Sequence, residues 1–267
     1  MEMPFFKYQG AGNDFVIVDQ RNQPWIDPDN QSLVARLCDR RFGVGGDGLM
    51  LLVDHPGYDF EMIYFNADGH PGSMCGNGGR CIVAFAKKMG LFSEETHFLA
   101  VDGPHRARMP RPEWVELHMT DVTAVETAPD FYYLDTGSPH YVEFVPALGQ
   151  VDVVPRGRAI RYNDRFREVG TNVNFVERRA DGLYIATYER GVEDETLACG
   201  TGVTAAALVS SLESAADETD LEIPVFARGG DLSVRFRREG QRFTNIWLCG
   251  PATFVFSGQI NLNDINT

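Results

Sequence analysis

The stretches MCGNGGRCIVAFA, residues 74–86, and ACGTGVTAAAL, residues 198–208, share one pattern. Each opens with Cys-Gly-polar-Gly and continues into an apolar, alanine-rich run that is typical of a buried helix. A thiol at a helix N-terminus lies in the positive end of the helix dipole, beside backbone N–H groups, and its pKa falls there. One such thiol in each half predicts an internal duplication and two matched acid/base groups, Cys75 and Cys199.

Short strand-like runs separated by turns surround each of these predicted helices, which we place at 74–89 and 199–212. A third helix is predicted from Asp29 to Arg41, with Gly43 as its C′ residue. The predicted strands of the first half are 5–9, 14–19, 48–53, 58–65, 95–101, 105–110 and 113–119. Those that follow are 131–135, 141–145, 172–178, 182–188, 222–227, 231–237, 243–248 and 252–258.

A polar stretch without clear periodicity, residues 120–130, marks the predicted domain boundary. The pattern therefore favours an α+β protein of two similar domains, residues 1–120 and 121–249. Each domain is predicted to hold strands around one central apolar helix.

Composition limits the classes of partner. The 267 residues include 24 Lys and Arg against 38 Asp and Glu, a net charge of −14, which disfavours nucleic acid and anionic membranes as partners. No run approaches the roughly 18 apolar residues of a membrane span. The first residues, MEMPFFK, lack the basic and apolar regions of a signal peptide, so we expect a cytoplasmic protein.

The remaining cysteines are interpreted as packing residues. Five cysteines without a Cys-x-x-Cys pair disfavour a disulfide framework, a thioredoxin-like motif and a zinc ribbon. Cys38, Cys81 and Cys249 lie in apolar patterns, where a thiol behaves as a small hydrophobe.

Gly43, Gly45 and Gly48 fit the spacing of a dinucleotide-binding loop. That motif requires a strand before the glycines and a helix after them, whereas here a predicted helix comes first and a strand follows. A nucleotide cofactor is therefore disfavoured.

Two thiols at helix N-termini suit the inversion of a carbon next to a carboxylate. One group removes the α-proton while the other delivers a proton from the opposite face, and helix N–H groups accept the charge that spreads into the carboxylate. Gly76 and Gly200 allow close approach, and Asn77 and Thr201 add hydrogen-bond donors.

The chain resembles the diaminopimelate epimerase family in motifs spread over most of its length. These motifs are Gly10–Phe15 (GAGNDF), Phe65–Gly69 (FNADG), Cys75–Gly79 (CGNGG), Pro139-His140, Asn172–Phe175 (NVNF), Tyr188–Gly191 (YERG), Ala198–Gly202 (ACGTG) and Gly250–Ala252 (GPA). The resemblance implies a cofactor-independent homodimer that interconverts LL- and meso-diaminopimelate for lysine and peptidoglycan synthesis, with Cys75 and Cys199 as bases. It also implies two pseudo-symmetric domains, each a barrel-like, mostly antiparallel sheet around a central helix. The active site would lie in the cleft between them, and the segment 250–267 would return to the first domain.

The resemblance assigns substrate-binding roles as well. Arg190 would grip the distal carboxylate of the substrate, with Asn66 and Asn172 at the same end, because a planar guanidinium suits bidentate recognition. Asn13 and Glu189 would hold ammonium groups. His140 would lie next to the catalytic groups and support them. Glu189 would do the same in addition to holding an ammonium group.

Two positions depart from the family pattern. Ser138 stands where the family often has Asn, and Gly48 where many members have Gln. Both departures concern substrate contacts rather than the two bases.

Three other interpretations stay open at this point. A racemase of the proline or hydroxyproline type shares the Cys-Gly-x-Gly motifs, but its substrate has a single carboxylate and no use for Arg190. A thiol redox switch would not need the donors beside each sulfur. A pure binding protein would need Arg190 but not both thiols.

Overall fold

The computed structural model describes residues 1–213 and 218–265. The chain divides into two compact units, Met1–Leu117 together with the segment from Pro251, and His118–Gly250. Residues 266 and 267 of the predicted return segment lie outside the described residues. Within the described ranges, no helix is long and apolar enough to cross a membrane.

The first unit is built on a series of eight paired strands, with two longer helices and a short C-terminal one. Its elements are β1 (Glu2–Gly10), β2 (Asn13–Asp19), α1 (Gln31–Cys38), β3 (Gly48–Val53), β4 (Phe60–Asn66), α2 (Gly76–Lys88), β5 (Glu95–Ala100), β6 (Gly103–Arg111), β7 (Trp114–His118), β17 (Thr253–Asn261) and α5 (Leu262–Ile265). The strands pair in the order β17-β1-β2-β3-β4-β5-β6-β7. The hairpin between β1 and β2 turns at Ala11 and Gly12, which both have positive φ, as a tight hairpin turn requires.

The second unit holds an equivalent series of paired strands. Its elements are β8 (Val125–Thr127), β9 (Tyr132–Asp135), β10 (Pro139–Phe144), α3 (Val153–Arg161), β11 (Asn172–Arg179), β12 (Gly182–Glu189), β13 (Asp194–Thr196), α4 (Gly200–Ser210), β14 (Glu218–Ala227), β15 (Gly230–Glu239) and β16 (Arg242–Pro251). The strands pair in the order β8-β9-β10-β11-β12-β14-β15-β16, and β13 lies beside β12.

The two units have the same internal plan. From β17 in one and β8 in the other, neighbouring strands run antiparallel, antiparallel, parallel, antiparallel, parallel, antiparallel and antiparallel. Helix α1 occupies the same place between strands as α3, and α2 the same place as α4. The predicted α+β class and internal duplication are confirmed.

A buried helix forms the centre of each unit. Residues 76–86 of α2 are buried, and α2 packs against β1, β2, β3, β6 and β17. In α4 all residues except Thr201 and Ser210 are buried, against β9–β12, β14 and β15. α4 is apolar on every side and needs such enclosure. Both predicted Cys-led helices are confirmed.

The predicted helix 29–41 was too long. α1 begins after its N-cap Asn30, which accepts a hydrogen bond from the backbone of Leu33, and ends at Cys38. Asp39 is extended and its carboxylate accepts from the backbone N–H groups of Arg41 and Phe42, which stops the helix. Gly43 is therefore not the C′ residue, and a Cβ there would overlap the carbonyl oxygen of Arg36.

The sequence interpretation missed α3, and it treated residues 120–130 as aperiodic although β8 lies within them. α3 contains Pro155 and Gly157 and carries few apolar residues, so its pattern is weak. A Cβ at Gly157 would overlap Tyr188, which explains why a helix-weakening glycine stands there.

Helix α1 precedes Gly43 and Gly45, and strand β3 begins at Gly48. This order is the reverse of the one that a dinucleotide-binding loop requires.

Candidate active site

Cys75 is the N-cap residue of α2. Its backbone is extended, with φ −112° and ψ 125°, while its carbonyl already accepts the first helical hydrogen bond from Gly79 over 2.7 Å. The side chain is half-buried. The N–H groups of Gly76 and Asn77 follow directly in the first turn of α2, at the positive end of the helix dipole, so they form a natural site for an anion beside the sulfur.

Asn77 and Asn13 form a polar network behind this helix start. Nδ2 of Asn77 donates to Oδ1 of Asn13 over 2.6 Å, and Nδ2 of Asn13 donates to Asp47 over 3.0 Å. On its other side, Oδ1 of Asn77 accepts from the guanidinium of Arg80 over 2.8 Å. The structure thus brings two predicted site residues together and orients both amides.

The network ends in a cluster of charged groups. Asp14 pairs with Lys7 over 2.7 Å and with Arg40 over 2.5 Å, and Arg40 also reaches Asp47 over 2.8 Å. Burial alone would raise the pKa of Asp14, but hydrogen bonds and charge from Arg40 and Lys7 lower it to about 2. The acidic end of the network is therefore anionic at neutral pH.

Asn66 lies at the end of β4 and is exposed. Its backbone begins a tight turn in which Gly69 donates to its carbonyl over 3.0 Å. Close to Asn66, the chain passes the ring of Tyr64 at Gly72, where a Cβ would overlap that ring. The side chain of Asn66 is therefore available to a ligand in this unit.

Cys199 holds the same position in the second unit as Cys75 in the first. It is the N-cap residue of α4, with φ −108° and ψ 111°, and its carbonyl accepts from Val203 over 2.9 Å. Gly200 and Thr201 form the first turn. The Thr201 hydroxyl lies 3.4 Å from the Cys199 sulfur.

His140 is fully buried at the start of β10. Its Nε2 lies 3.0 Å from Oγ of Ser138 and its Nδ1 lies 3.1 Å from Nδ2 of Asn174. Ser138 in turn lies 3.2 Å from the Thr201 hydroxyl. Burial lowers the pKa of His140 to about 3, so its imidazole is neutral at pH 7.

Asn172 connects this group to Arg190. Nδ2 of Asn172 donates to Ser138 over 3.1 Å, and its Oδ1 accepts from the backbone N–H of Arg190 over 2.9 Å. The Arg190 side chain is exposed, and one of its nitrogens donates to the carbonyl of Val169 over 3.0 Å. Glu189 is half-buried, and burial raises its pKa, an effect that a bound ammonium group would offset.

Sequence reasoning did not single out Arg80 or Asn174 as part of the site. Arg80 is a fully buried arginine inside an otherwise apolar helix, and this mismatch was a usable signal. Asn174 comes two residues after Asn172 in one strand, so both side chains point to the same face of the sheet.

Comparison with known proteins agrees with these motifs. A model of the diaminopimelate epimerase family matches residues 5–107 and 132–255, which include both cysteines. A protein of Flavobacterium psychrophilum named diaminopimelate epimerase is 46% identical over 260 residues, covering 97% of this chain and all of that one. Another of that name, from Chlorobaculum tepidum, is 43% identical over 261 residues and covers 95% of this chain and 99% of its own. The chain belongs to the diaminopimelate epimerase family.

Solved structures outside this family have a similar fold. A phenazine biosynthesis protein of the PhzF family from Bacillus anthracis superposes with a TM-score of 0.76 at 14% identity, covering 98% of this chain and 99% of that one. A probable proline racemase from Agrobacterium radiobacter superposes with a TM-score of 0.66 at 16% identity, covering 97% of this chain and 93% of that one. At such identities the likeness concerns the fold alone. The diaminopimelate epimerase family thus uses an architecture that is also found in proteins with other names.

Proposed function

We propose that the protein is a diaminopimelate epimerase, which interconverts the LL and meso isomers without a cofactor and serves lysine and peptidoglycan synthesis. The observation that carries this proposal is the cysteine at the N-cap of the buried central helix in each unit. The family membership supports the substrate, since relatives that are 43% and 46% identical over nearly the whole chain bear that name.

The two cysteines act as a thiolate and a thiol. The thiolate removes the α-proton and becomes a thiol, and the other thiol delivers its proton to the opposite face of the same carbon and becomes a thiolate. Proton number is conserved, and the product leaves the pair with its protonation reversed. N–H groups at the starts of α2 and α4 stabilise the carboxylate while the carbon carries negative charge.

Groups of the second unit recognise the distal end of the substrate, which does not invert. Arg190 binds the distal carboxylate, and the hydrogen bond from its backbone to Asn172 supports the position of both residues. Glu189 binds an ammonium group. Asn66 in the first unit adds a contact to the distal end, and Asn13 to an ammonium group.

The enzyme is proposed to be a cytoplasmic homodimer, on the family resemblance. Sedimentation velocity of the purified protein at micromolar concentration tests the dimer. A single species with the mass of one chain would contradict it.

Isotope exchange tests the reaction itself. The reduced protein is incubated in D₂O with LL-diaminopimelate and, separately, with L-proline, while NMR follows deuterium at Cα and the appearance of the other stereoisomer. We expect exchange and inversion with diaminopimelate alone. Activity with proline alone would move the protein to the racemase class, and no activity with either substrate would contradict the proposed function.

A further inference from the structure

Asn174 fixes the tautomer of His140. One hydrogen of its Nδ2 goes to the backbone carbonyl of Tyr141 over 2.8 Å and the other to Nδ1 of His140, while its Oδ1 accepts from the Thr187 hydroxyl over 2.9 Å. Because a carbonyl can only accept, the amide cannot be flipped. Nδ1 of the neutral imidazole therefore has no hydrogen, and Nε2 has the one that points to Ser138.

Asn172 is fixed in the same way. Its Oδ1 accepts from the backbone N–H of Arg190, which can only donate, and its Nδ2 donates to the carbonyl of Pro139 over 3.1 Å. The second hydrogen of this Nδ2 goes to Oγ of Ser138.

Ser138 is consequently forced to donate. Its oxygen has two lone pairs, and they accept from Nε2 of His140 and Nδ2 of Asn172. The serine hydrogen points to the Thr201 hydroxyl over 3.2 Å. Since Thr201 accepts there, its own hydrogen is directed at the Cys199 sulfur, 3.4 Å away.

We propose that His140, Ser138 and Thr201 form a one-directional hydrogen-bond relay that donates to the sulfur of Cys199 and stabilises its thiolate. Ser138 is then a positioning residue for this base. A hydrogen bond to the charged form favours that form, and a chain that cannot reverse offers the sulfur a donor and never an acceptor. Arg190 lies close enough for its charge to lower the pKa of His140 as well, and Glu189 precedes Arg190 at the end of β12.

The relay also changes the role of one predicted substrate contact. The Thr201 hydroxyl is engaged with Ser138 and Cys199, so Thr201 would bind the substrate through its backbone N–H alone. The position of Gly202 supports this arrangement, because a Cβ there would overlap Oδ1 of Asn174 and displace the residue that sets the tautomer of His140.

Thiolate absorbance near 240 nm tests the relay. The titration is made in a Cys75→Ala background, and the signal of a Cys75→Ala/Cys199→Ala protein is subtracted so that it reports Cys199. We expect Ser138→Ala and Thr201→Val to raise the pKa of Cys199 by about one unit, the size expected for a lost hydrogen bond to a charged group. Thr201→Ser keeps the hydroxyl and should leave the pKa of Cys199 unchanged.

Ser210→Ala is the matched control, because it removes a hydroxyl from the other end of α4, where Ser210 donates to the carbonyl of Ala207. An unchanged pKa of Cys199 in both Ser138→Ala and Thr201→Val, with folded spectra, would overturn the relay. A rise of the same size in Ser210→Ala would overturn it too, since the effect would then not be specific to the relay.

The catalytic role of the relay rests on the proposed function, but the hydrogen bond from the Thr201 hydroxyl to the Cys199 sulfur does not. The titration needs no substrate, so a protein that fails to epimerise diaminopimelate would refute the function and leave the titration result in force. In the enzyme with both cysteines, Ser138→Ala should lower kcat about tenfold and leave KM nearly unchanged. A rise in KM at constant kcat would instead indicate that Ser138 contacts the substrate, and would contradict its positioning role.

Discussion

Nδ2 of Asn77 donates to Oδ1 of Asn13 over 2.6 Å, and this bond ties the first turn of α2 to the start of β2. The direction of this hydrogen bond is fixed by Arg80. The buried guanidinium can only donate and it donates to Oδ1 of Asn77, so Nδ2 of Asn77 is the atom that faces Asn13. The helix start that follows Cys75 is therefore held in one orientation by residues that are distant in the sequence.

Asn77→Asp tests this orientation. A carboxylate keeps the contact with Arg80 but cannot donate to Asn13, and it places negative charge where we propose that the substrate carboxylate binds. We expect kcat/KM to fall about 100-fold, the equivalent of about 2.7 kcal/mol, mainly through KM. Steady-state kinetics with LL-diaminopimelate measures this.

Asn30→Asp is the control for the same chemical change, since an aspartate also caps α1 well. Thermal unfolding should show both variants folded, because an acidic residue in the first turn of a helix is favourable. Unchanged kcat/KM in Asn77→Asp would contradict the role given to this network.

The duplication could be predicted from the sequence because the Cys-Gly-polar-Gly pattern and the apolar run after it are local signals. α3 could not be predicted from its own residues, since Pro155 and Gly157 weaken the pattern. Its place follows only from the equivalence with α1. The residues around each sulfur join positions far apart, such as Ser138 and Thr201, and no local pattern reports such contacts.

Both cysteines should be essential. Cys75→Ala and Cys199→Ala should each lower epimerisation by at least about 10³-fold, because each removes one of two proton-transfer groups. The corresponding Cys→Ser variants should also be strongly impaired, since a hydroxyl is a far weaker acid than a thiol at neutral pH.

Cys38→Ala is the matched control. Burial raises the pKa of the Cys38 thiol to about 12, in a core position on α1 that is outside the proposed chemistry. A variant of Cys75 or Cys199 as active as Cys38→Ala would exclude the two-thiol mechanism. Conversion of LL- to meso-diaminopimelate, followed by chiral chromatography, is the measurement.

His140 should make the protein sensitive to mild acid. Its pKa is about 3 when folded, compared with about 6.5 when unfolded, so the unfolded chain takes up a proton between these values and the folded protein does not. Its contribution to stability is complete above pH 6.5 and falls by about 1.4 kcal/mol per pH unit below it. Carboxylates such as Asp14, held at a pKa of about 2, begin to lose their own stabilising contribution only below about pH 4.

Urea unfolding at pH 7, 6 and 5 measures this loss, with His140→Gln as the comparison because glutamine does not titrate. The variant should be less stable at pH 7 but should lose less stability on acidification. Parallel losses in the two proteins would show that other groups cause the acid sensitivity.

Arg190→Lys should separate distal recognition from chemistry. A lysine keeps the charge but not the planar fork that binds a carboxylate through two hydrogen bonds. We expect KM for diaminopimelate to rise by about 30- to 100-fold with a smaller change in kcat. Arg167→Lys is the control, because Arg167 forms an exposed ion pair with Asp164, and it should leave KM unchanged. An equal effect of both changes on KM would contradict specific binding of the distal carboxylate by Arg190.

Gly202→Ala should damage the second unit although it adds a single methyl group within a helix. That methyl would overlap Oδ1 of Asn174, which must then move away from Thr187 and His140. Overpacking of a filled site costs about 1–3 kcal/mol, and a displaced Asn174 no longer sets the tautomer of His140. We therefore expect lower stability in urea and, at saturating substrate, a kcat lowered at least about tenfold. Gly149→Ala meets nothing within 4 Å and should be neutral in both assays, so similar behaviour of the two variants would mean that the contact between Gly202 and Asn174 is not the cause.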